Sequence, residues 1–153
     1  MEFSGRRVIP VSRQRTWEGL NDPDLLRRAL AGCQEMVRVS DDEFHARVEV
    51  KLGPVLAKLA GKVRLSDVDA PNSYAISGEG TGAAGFARGG ATVVLSDEEG
   101  ATVLAYEARA MIGGKLAQIG ARLFDGAARK IADDFFMRFA VLLAEEDVGE
   151  GAP

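Results

Sequence analysis

The residue types that most often carry out catalysis are few and scattered in this chain. One histidine, His45, allows neither a histidine-based triad nor a multi-histidine metal site. His45 occupies a polar position in a segment where polar and apolar residues alternate, so we expect it at the surface. The one cysteine, Cys33, follows Gly32 at a predicted helix end without a clustered base, which favours a small buried hydrophobic residue over a reactive thiol.

Two further patterns also fall short of a catalytic site. The string GEGTGAAG has the glycines of a dinucleotide fingerprint, but it lacks the strand, turn and helix which that motif requires. The adjacent Asp133 and Asp134 fall on the flank of a predicted helix, where carboxylates are usually solvated. The sequence therefore predicts neither catalytic residues nor a metal site.

The element that would dominate any binding site is a long helix, predicted from about Leu116 to Leu143. At roughly 100° per residue, its apolar residues do not stay on one face. The first half presents one apolar side, and the second half presents a phenylalanine-rich side rotated by about a quarter turn. We therefore expect the two halves to face different surroundings. Gly120 and Gly126, predicted inside the helix, suggest tight packing or room for a ligand.

The segments before this helix read mainly as strands. A first strand, Glu2 to Val11, precedes two short helices, the first capped by Ser12 and the second running from Asp24 to Ala31. Alternating apolar residues then predict an antiparallel meander, although residues 55–59 are ambiguous between a loop and a strand. The glycine-rich residues 76–93 are predicted to form a hairpin, and the last strand covers residues 101–112. This order is that of an α+β fold.

Composition limits the classes of protein to which the chain can belong. Its 153 residues suit one domain, predicted over residues 1–145, followed by a short acidic tail at residues 146–153. The net charge of −4, with scattered basic residues, argues against a nucleic-acid partner. Neither a signal peptide nor a stretch of about 20 apolar residues is present. A cytoplasmic protein is expected.

Four segments of the chain resemble segments that occur in the same order in one known protein family. They begin at Trp17, Lys51, Tyr74 and Gly113 and read WEGLNDPDLLRRALAGCQEM, KLGPVLAKLAGKVRLSDVD, YAISGEGTGAAGFARGGATV and GGKLAQIGARLFDGAARKIADDFFMRF. The chain resembles the carbon monoxide dehydrogenase CoxG family of the START-like helix-grip (SRPBCC) superfamily. The resemblance implies a curved seven-stranded antiparallel sheet wrapped around the long C-terminal helix, with two short helices after the first strand and a ligand tunnel.

The resemblance also implies a function. Similar proteins accompany molybdenum-containing carbon monoxide dehydrogenases and related redox enzymes and help them reach the membrane and its quinone pool. The expected role is a non-catalytic carrier of a lipophilic molecule, namely menaquinone or another prenylated quinone, without a covalent cofactor. Such relatives often carry a membrane-attaching tail, whereas EEDVGEGAP is short and acidic. We therefore expect transient contact at the inner face of the cell membrane.

The candidate ligand-binding residues come from the inward phase of the strands and from the long helix. They are Phe44, Val48, Val50, Leu59, Val63, Phe86, Leu104, Tyr106, Leu116, Ile119, Gly120, Leu123, Phe124, Ala127 and Ile131. The alternative for each is an ordinary core residue.

Two other functions remain open. An adaptor would bind the dehydrogenase through the glycine-rich hairpin and its Arg88, or through Arg27 and Arg28, without carrying a ligand. An enzyme would resemble fold relatives that use acids within the cavity, with Tyr106, Glu107, Arg109 and Asp134 as candidates. The strand phases place Glu107 and Arg109 on the outer face, which disfavours the enzyme.

Overall fold

The fold is one curved antiparallel sheet closed by a long helix. A computed structural model describes the backbone of residues 1–151 and the side chains of residues 1–146. The strands are β1 (Glu2–Ile9), β2 (Cys33–Ser40), β3 (Glu43–Leu52), β4 (Val55–Asp69), β5 (Ser73–Gly82), β6 (Gly85–Glu98) and β7 (Ala101–Gly113). They pair in the order β1-β7-β6-β5-β4-β3-β2. The predicted α+β helix-grip architecture, with seven strands and two short helices after the first, is confirmed.

Side-chain caps fix the two short helices. Helix α1 (Arg13–Leu20) begins after Ser12, whose hydroxyl accepts a hydrogen bond from the backbone N–H of Arg15 at 3.1 Å. Helix α2 (Pro23–Ala29) begins after Asp22, whose carboxylate accepts hydrogen bonds from the backbone N–H groups of Asp24 and Leu25 at 3.0 and 3.3 Å. Proline suits the first helical position because its missing N–H has no helical partner there. Helix α2 ends two residues before the predicted Ala31.

The long helix, α3 (Ala121–Gly151), begins later than the sequence predicts. Residues Gly114–Ile119 form a separate 3₁₀ turn, and Gly120 has a φ of 89°, which breaks the helical path. The predicted start at Leu116 is therefore wrong, and Gly120 lies before the helix rather than inside it. The helix continues beyond residue 145. From residue 147 onward, the side chains of the predicted acidic tail lie outside the described residues.

The ambiguous residues 55–59 form the beginning of β4. Leu52 pairs with Val55, so only Gly53 and Pro54 connect β3 to β4. Gly53 has a φ of 64°, a conformation that glycine adopts without steric cost. The two strands therefore continue to the end of the sheet without an irregular loop.

The apolar interior consists of two clusters that divide the long helix between them. At one end of the sheet, Phe139 and Leu143 of α3 pack with Phe44, Tyr74 and Leu104. At the other end, Phe124 packs with residues of β3 and β4 and with Leu116 of the 3₁₀ turn. We name these the closed end and the open end. The prediction that the two halves of the helix face different surroundings is confirmed.

Candidate functional site

Helix α3 runs across the inner face of the sheet. Its backbone comes near the sheet mainly at β1 and at β3, which lie on either side of the four central strands β7, β6, β5 and β4. The helix also packs on α2 near the closed end. Between β1 and β3, α3 meets the central strands through side chains, as Phe139 does at the closed end.

Small residues occupy the inner face of these central strands. The strand register aligns them in two rows, Ala110, Gly89, Gly78 and Val63 in one, Ile112, Ala87, Gly80 and Gly61 in the other. A Cβ atom placed on Gly78 would find only two atoms within 4 Å, the carbonyl oxygen of Lys62 at 3.5 Å and Cγ2 of Val63 at 3.6 Å. Both belong to β4. Helix α3 does not fill the room that the missing side chain leaves.

The apolar residues around this room remain partly accessible to solvent. We call the region that they enclose the inner space, and its lining includes Val48, Val50, Val63, Ile76, Ala87, Ala91, Ala108, Ala110, Ile112, Ala127 and Ile131. Both ends of the interior are buried more completely: Leu104 and Phe139 at the closed end, and Ala57 and Leu116 at the open end, have no exposed surface. A dry-packed core would bury the lining residues as completely as these. Apolar side chains that keep accessible surface beneath a helix are compatible with a lipophilic ligand.

The hydroxyl of Tyr106, at the closed end, has no protein partner among residues 1–146. The ring of Tyr106 stacks on Phe136 of α3 with a centroid separation of 5.1 Å and an interplanar angle of 25°. On its other side the ring lies over Gly5, where a Cβ atom would come within 2.9 Å of it. The Tyr106 O–H group is available to donate to a bound molecule.

Charged side chains hold α3 against the edge strand β1. Arg7 of β1 pairs with Asp133, which the sequence suggested to be merely solvated. The guanidinium of Arg129 lies 5.8 Å from the centre of the Phe3 ring. These contacts are partly exposed, so each contributes modestly to stability. They nevertheless fix the helix at the edge of the sheet and keep the inner space covered.

The structure distributes the predicted binding residues over four environments. Phe44, Val63, Leu104 and Tyr106 belong to the cluster at the closed end, or pack against it. The cluster at the open end takes in Val48, Val50, Leu59, Leu116, Ile119, Phe124, Ala127 and Ile131.

The other three predicted residues lie outside these clusters. Gly120 is exposed, and Leu123 is 50% exposed at the rim of the open end. Phe86 lies on the outer face, where Arg88 covers its ring at 4.9 Å, because the inner phase of β6 passes through Ala87 and Gly89. The small residues of the inner rows were not among the predicted binding residues, although their alternation in residues 76–93 could have identified them.

The side chains considered for catalysis do not converge. Glu107 and Arg109 are exposed on the outer face, whereas Tyr106 points inward. Asp134 pairs with Arg138 on the helix at 3.1 Å. His45 is exposed beside Glu43. Within residues 1–146, no three acidic, histidine or cysteine side chains are grouped so as to hold a metal ion.

The outer face of the sheet contains a different type of concavity. An open groove of about 630 Å³ lies over β4, β5, β6 and β7. Charged side chains of both signs form its walls, with Lys62, Arg64, Arg88 and Arg109 beside Glu2 and Glu79. Lys62 pairs with Glu79 and Arg64 with Glu43, whereas Arg88 and Arg109 have no ion pair within residues 1–146. This surface does not suit an apolar ligand, but it offers positive charge to an acidic partner.

Comparisons with known proteins define the relationship of the chain. A family model for the CoxG subunit of carbon monoxide dehydrogenase matches residues 5–143. No curated protein matches the chain. Among the described residues, no helix has the length and apolar character needed to cross a membrane.

Solved structures share the architecture over almost the whole chain. A conserved protein from Geobacillus kaustophilus is 25% identical, with a TM-score of 0.89, over 95% of this chain and 96% of that one. A protein from Chromobacterium violaceum is 13% identical, with a TM-score of 0.72, over 93% and 96% of the two chains. The second likeness concerns the fold alone. The family model covers both short helices, all of the central strands and α3 as far as residue 143. The chain therefore belongs to the carbon monoxide dehydrogenase CoxG family.

Proposed function

We propose that this protein is a non-catalytic carrier of a prenylated quinone, with menaquinone the expected ligand. The observation that carries the proposal is the inner space, where apolar residues beneath α3 keep accessible surface because the central strands present glycine and alanine. Family membership and the helix-grip fold suggest an accessory or ligand-binding role. The inner space favours ligand binding.

The chemistry of a prenylated quinone fits the lining of the inner space. Each buried CH₂ group of the tail contributes about 0.8 kcal/mol, so a continuous apolar surface can compensate for removal of the tail from a bilayer. The Tyr106 hydroxyl can donate a hydrogen bond to a quinone carbonyl. The family name points to carbon monoxide dehydrogenase, a molybdenum enzyme, or a related redox enzyme as the recipient. The exchange would take place at the inner face of the cell membrane.

Lipid extraction tests the carrier directly. The protein is purified from its native host, and the bound lipids are identified by mass spectrometry. We expect a prenylated quinone near one equivalent in the wild type and a large loss in Ala87→Leu, which adds bulk on the inner face beside Gly80. Ala60→Leu is the matched control because Ala60 is exposed on a strand of the same sheet. An empty wild-type protein, or equal lipid content in the two variants, would contradict the carrier.

The outer groove favours a second candidate, an adaptor that recruits the dehydrogenase without transporting a ligand. Arg88 and Arg109 line this groove and have no ion pair within residues 1–146. Arg27 and Arg28, the other candidate contacts, already pair with Asp24 on their own helix. If Arg88→Glu abolishes dehydrogenase activity in cells while Ala87→Leu preserves it, the adaptor replaces the carrier.

A further inference from the structure

Three segments that are distant in sequence form one surface at the open end. They are residues 50–60 around the β3–β4 turn, residues 80–90 around the β5–β6 turn, and residues 110–124 leading into α3. The backbone N–H of Leu116 donates to the carbonyl of Ala84 at 2.9 Å. A Cβ atom on Gly53 would lie 3.5 Å from Cδ1 of Leu123. The segments are therefore in mutual contact at this end of the sheet.

Basic side chains predominate on this surface, and Glu79, the cross-strand neighbour of Arg88, lies just before the second segment. The three segments contain no aspartate or glutamate, and their basic residues are Lys51, Lys58, Arg88, Lys115 and Arg122. None of these five has an ion-pair partner among the residues with described side chains.

The turns at the opposite end have the reverse composition. Residues 40–43, 67–72 and 97–100 contain eight acidic residues and no basic one. A chain with a net charge of −4 thus concentrates unpaired positive charge at its open end. This segregation favours an anionic partner at the open end and orients the molecule toward it.

Large apolar side chains project from the same surface. Leu56 lies on β4 directly after the turn and is 49% exposed. Leu123 touches the turn from the side of α3 and is 50% exposed. Exposed leucines surrounded by unpaired lysine and arginine are typical of surfaces that enter the interface of an anionic membrane.

We propose that the open end docks on an anionic phospholipid surface. Leu56 and Leu123 enter the headgroup region, and the basic residues around them contact lipid phosphates. An acidic protein would satisfy the charges but would not require exposed leucines beside the turn. This inference rests on the proposed function, because a carrier of a membrane lipid must dock on the bilayer that holds its ligand.

Vesicle flotation of the full chain tests the docking surface. We expect binding to vesicles of phosphatidylcholine with phosphatidylglycerol, weak binding to phosphatidylcholine alone, and release by salt. Each neutralised basic residue lowers partitioning about fivefold. The double variant Lys58→Gln with Lys115→Gln should therefore bind roughly 25-fold more weakly. Arg6→Gln, which removes an exposed charge from β1, is the control and should bind as the wild type.

The leucines have their own matched control. Leu56→Ser with Leu123→Ser should weaken vesicle binding, whereas Val94→Ser should not, since Val94 is 52% exposed on β6, toward the closed end. Thermal unfolding should be nearly unchanged in each case, because all three side chains are half exposed. Equal binding by the leucine variant and the wild type would overturn the proposal. So would capture of an acidic protein, but not of vesicles, through the same lysines.

Lipid analysis separates the two proposals. Leu56→Ser by itself should keep its bound quinone while weakening vesicle binding, because Leu56 lies on the outer phase of β4. If the wild type binds anionic vesicles but contains no quinone, the carrier fails and the docking surface stands. If quinone is present and anionic vesicles are not bound, the docking surface fails.

Discussion

Two glycines on neighbouring strands should respond oppositely to the same added methyl group. Gly78 and Gly61 both belong to the inner rows of the sheet. A Cβ atom on Gly78 would meet its nearest neighbours at ordinary contact distances of 3.5 and 3.6 Å. A Cβ atom on Gly61 would lie 1.8 Å from the carbonyl oxygen of Glu79, so the backbone would have to move.

The size of each effect follows from these distances. Glycine inside a strand costs roughly 0.5–1 kcal/mol relative to alanine, so Gly78→Ala should raise the free energy of unfolding by that amount. The melting temperature should then rise by about 1–4 °C for a chain of this size. Gly61→Ala should lower the free energy of unfolding by about 1–3 kcal/mol, the usual cost of overpacking.

A larger side chain at Gly78 tests whether the inner space exists. Gly78→Leu should change stability by at most about 1 kcal/mol, because no atom of α3 lies within 4 Å of the new Cβ position. The side chain would displace about four CH₂ groups of a bound tail, which corresponds to about 3 kcal/mol of ligand binding. The quinone content should fall accordingly.

Urea unfolding followed by circular dichroism measures the stabilities, and mass spectrometry of extracts measures bound quinone. If Gly78→Leu loses clearly more than about 1 kcal/mol of stability, as overpacking of a closely packed interior does, the inner space is absent. If Gly61→Ala and Gly78→Ala have the same free energy of unfolding, the contact distances around the added methyl group do not determine its effect on stability.

Three further predictions concern single polar groups. Tyr106→Phe should lower quinone content while leaving the melting temperature nearly unchanged, because the hydroxyl has no partner within residues 1–146; equal quinone content would remove the proposed hydrogen bond. Hydrogen bonds from Arg64 and His45 lower the pKa of Glu43, so their stabilising contribution is present above its ordinary value of 4.5 and is lost as the pH falls through the lowered value. Glu43→Gln should therefore show a smaller loss of stability on acidification, measured by melting temperature against pH, and an unchanged acid limb would contradict this. Burial raises the pKa of the Cys33 thiol, so its alkylation by iodoacetamide should be slower than that of free cysteine at the same pH. Alkylation as fast as that of free cysteine, or faster, would show that burial does not raise this pKa.

Local patterns allowed most of the elements to be predicted. Ser12 caps α1 as expected because the capping interaction involves only neighbouring residues. Alternation along β3 correctly separated the exposed His45 from the buried Phe44. The start of α3 was missed because the residues from Leu116 favour a helix by composition. In the structure, Leu116 of the 3₁₀ turn donates its backbone N–H to the carbonyl of Ala84, and the positive φ of Gly120 breaks the helical path. These residues therefore lie outside α3.

The surroundings of the candidate binding residues were harder to predict. Alternation along a strand indicates which face of the sheet a side chain lies on, but not which side chains of other segments lie beside it. Phe86 is apolar and lies in the right segment, yet the register of the hairpin places it on the outer face under Arg88. Leu123 has the periodicity of a core residue and lies half exposed beside Gly53. In both cases the outcome depends on how distant segments meet.

The sequence by itself determined the α+β layout, the short helices and the division of the long helix into two faces, because each depends on residues a few positions apart. It also contained the small residues of the central strands and the uneven distribution of charge. Only the tertiary structure decided what these features enclose. Pairing of the strands aligned glycines and alanines from separate strands into rows beneath α3, and the antiparallel turns gathered the basic segments at one end and the acidic turns at the other. Such features arise from pairing across the sheet, which no local pattern specifies.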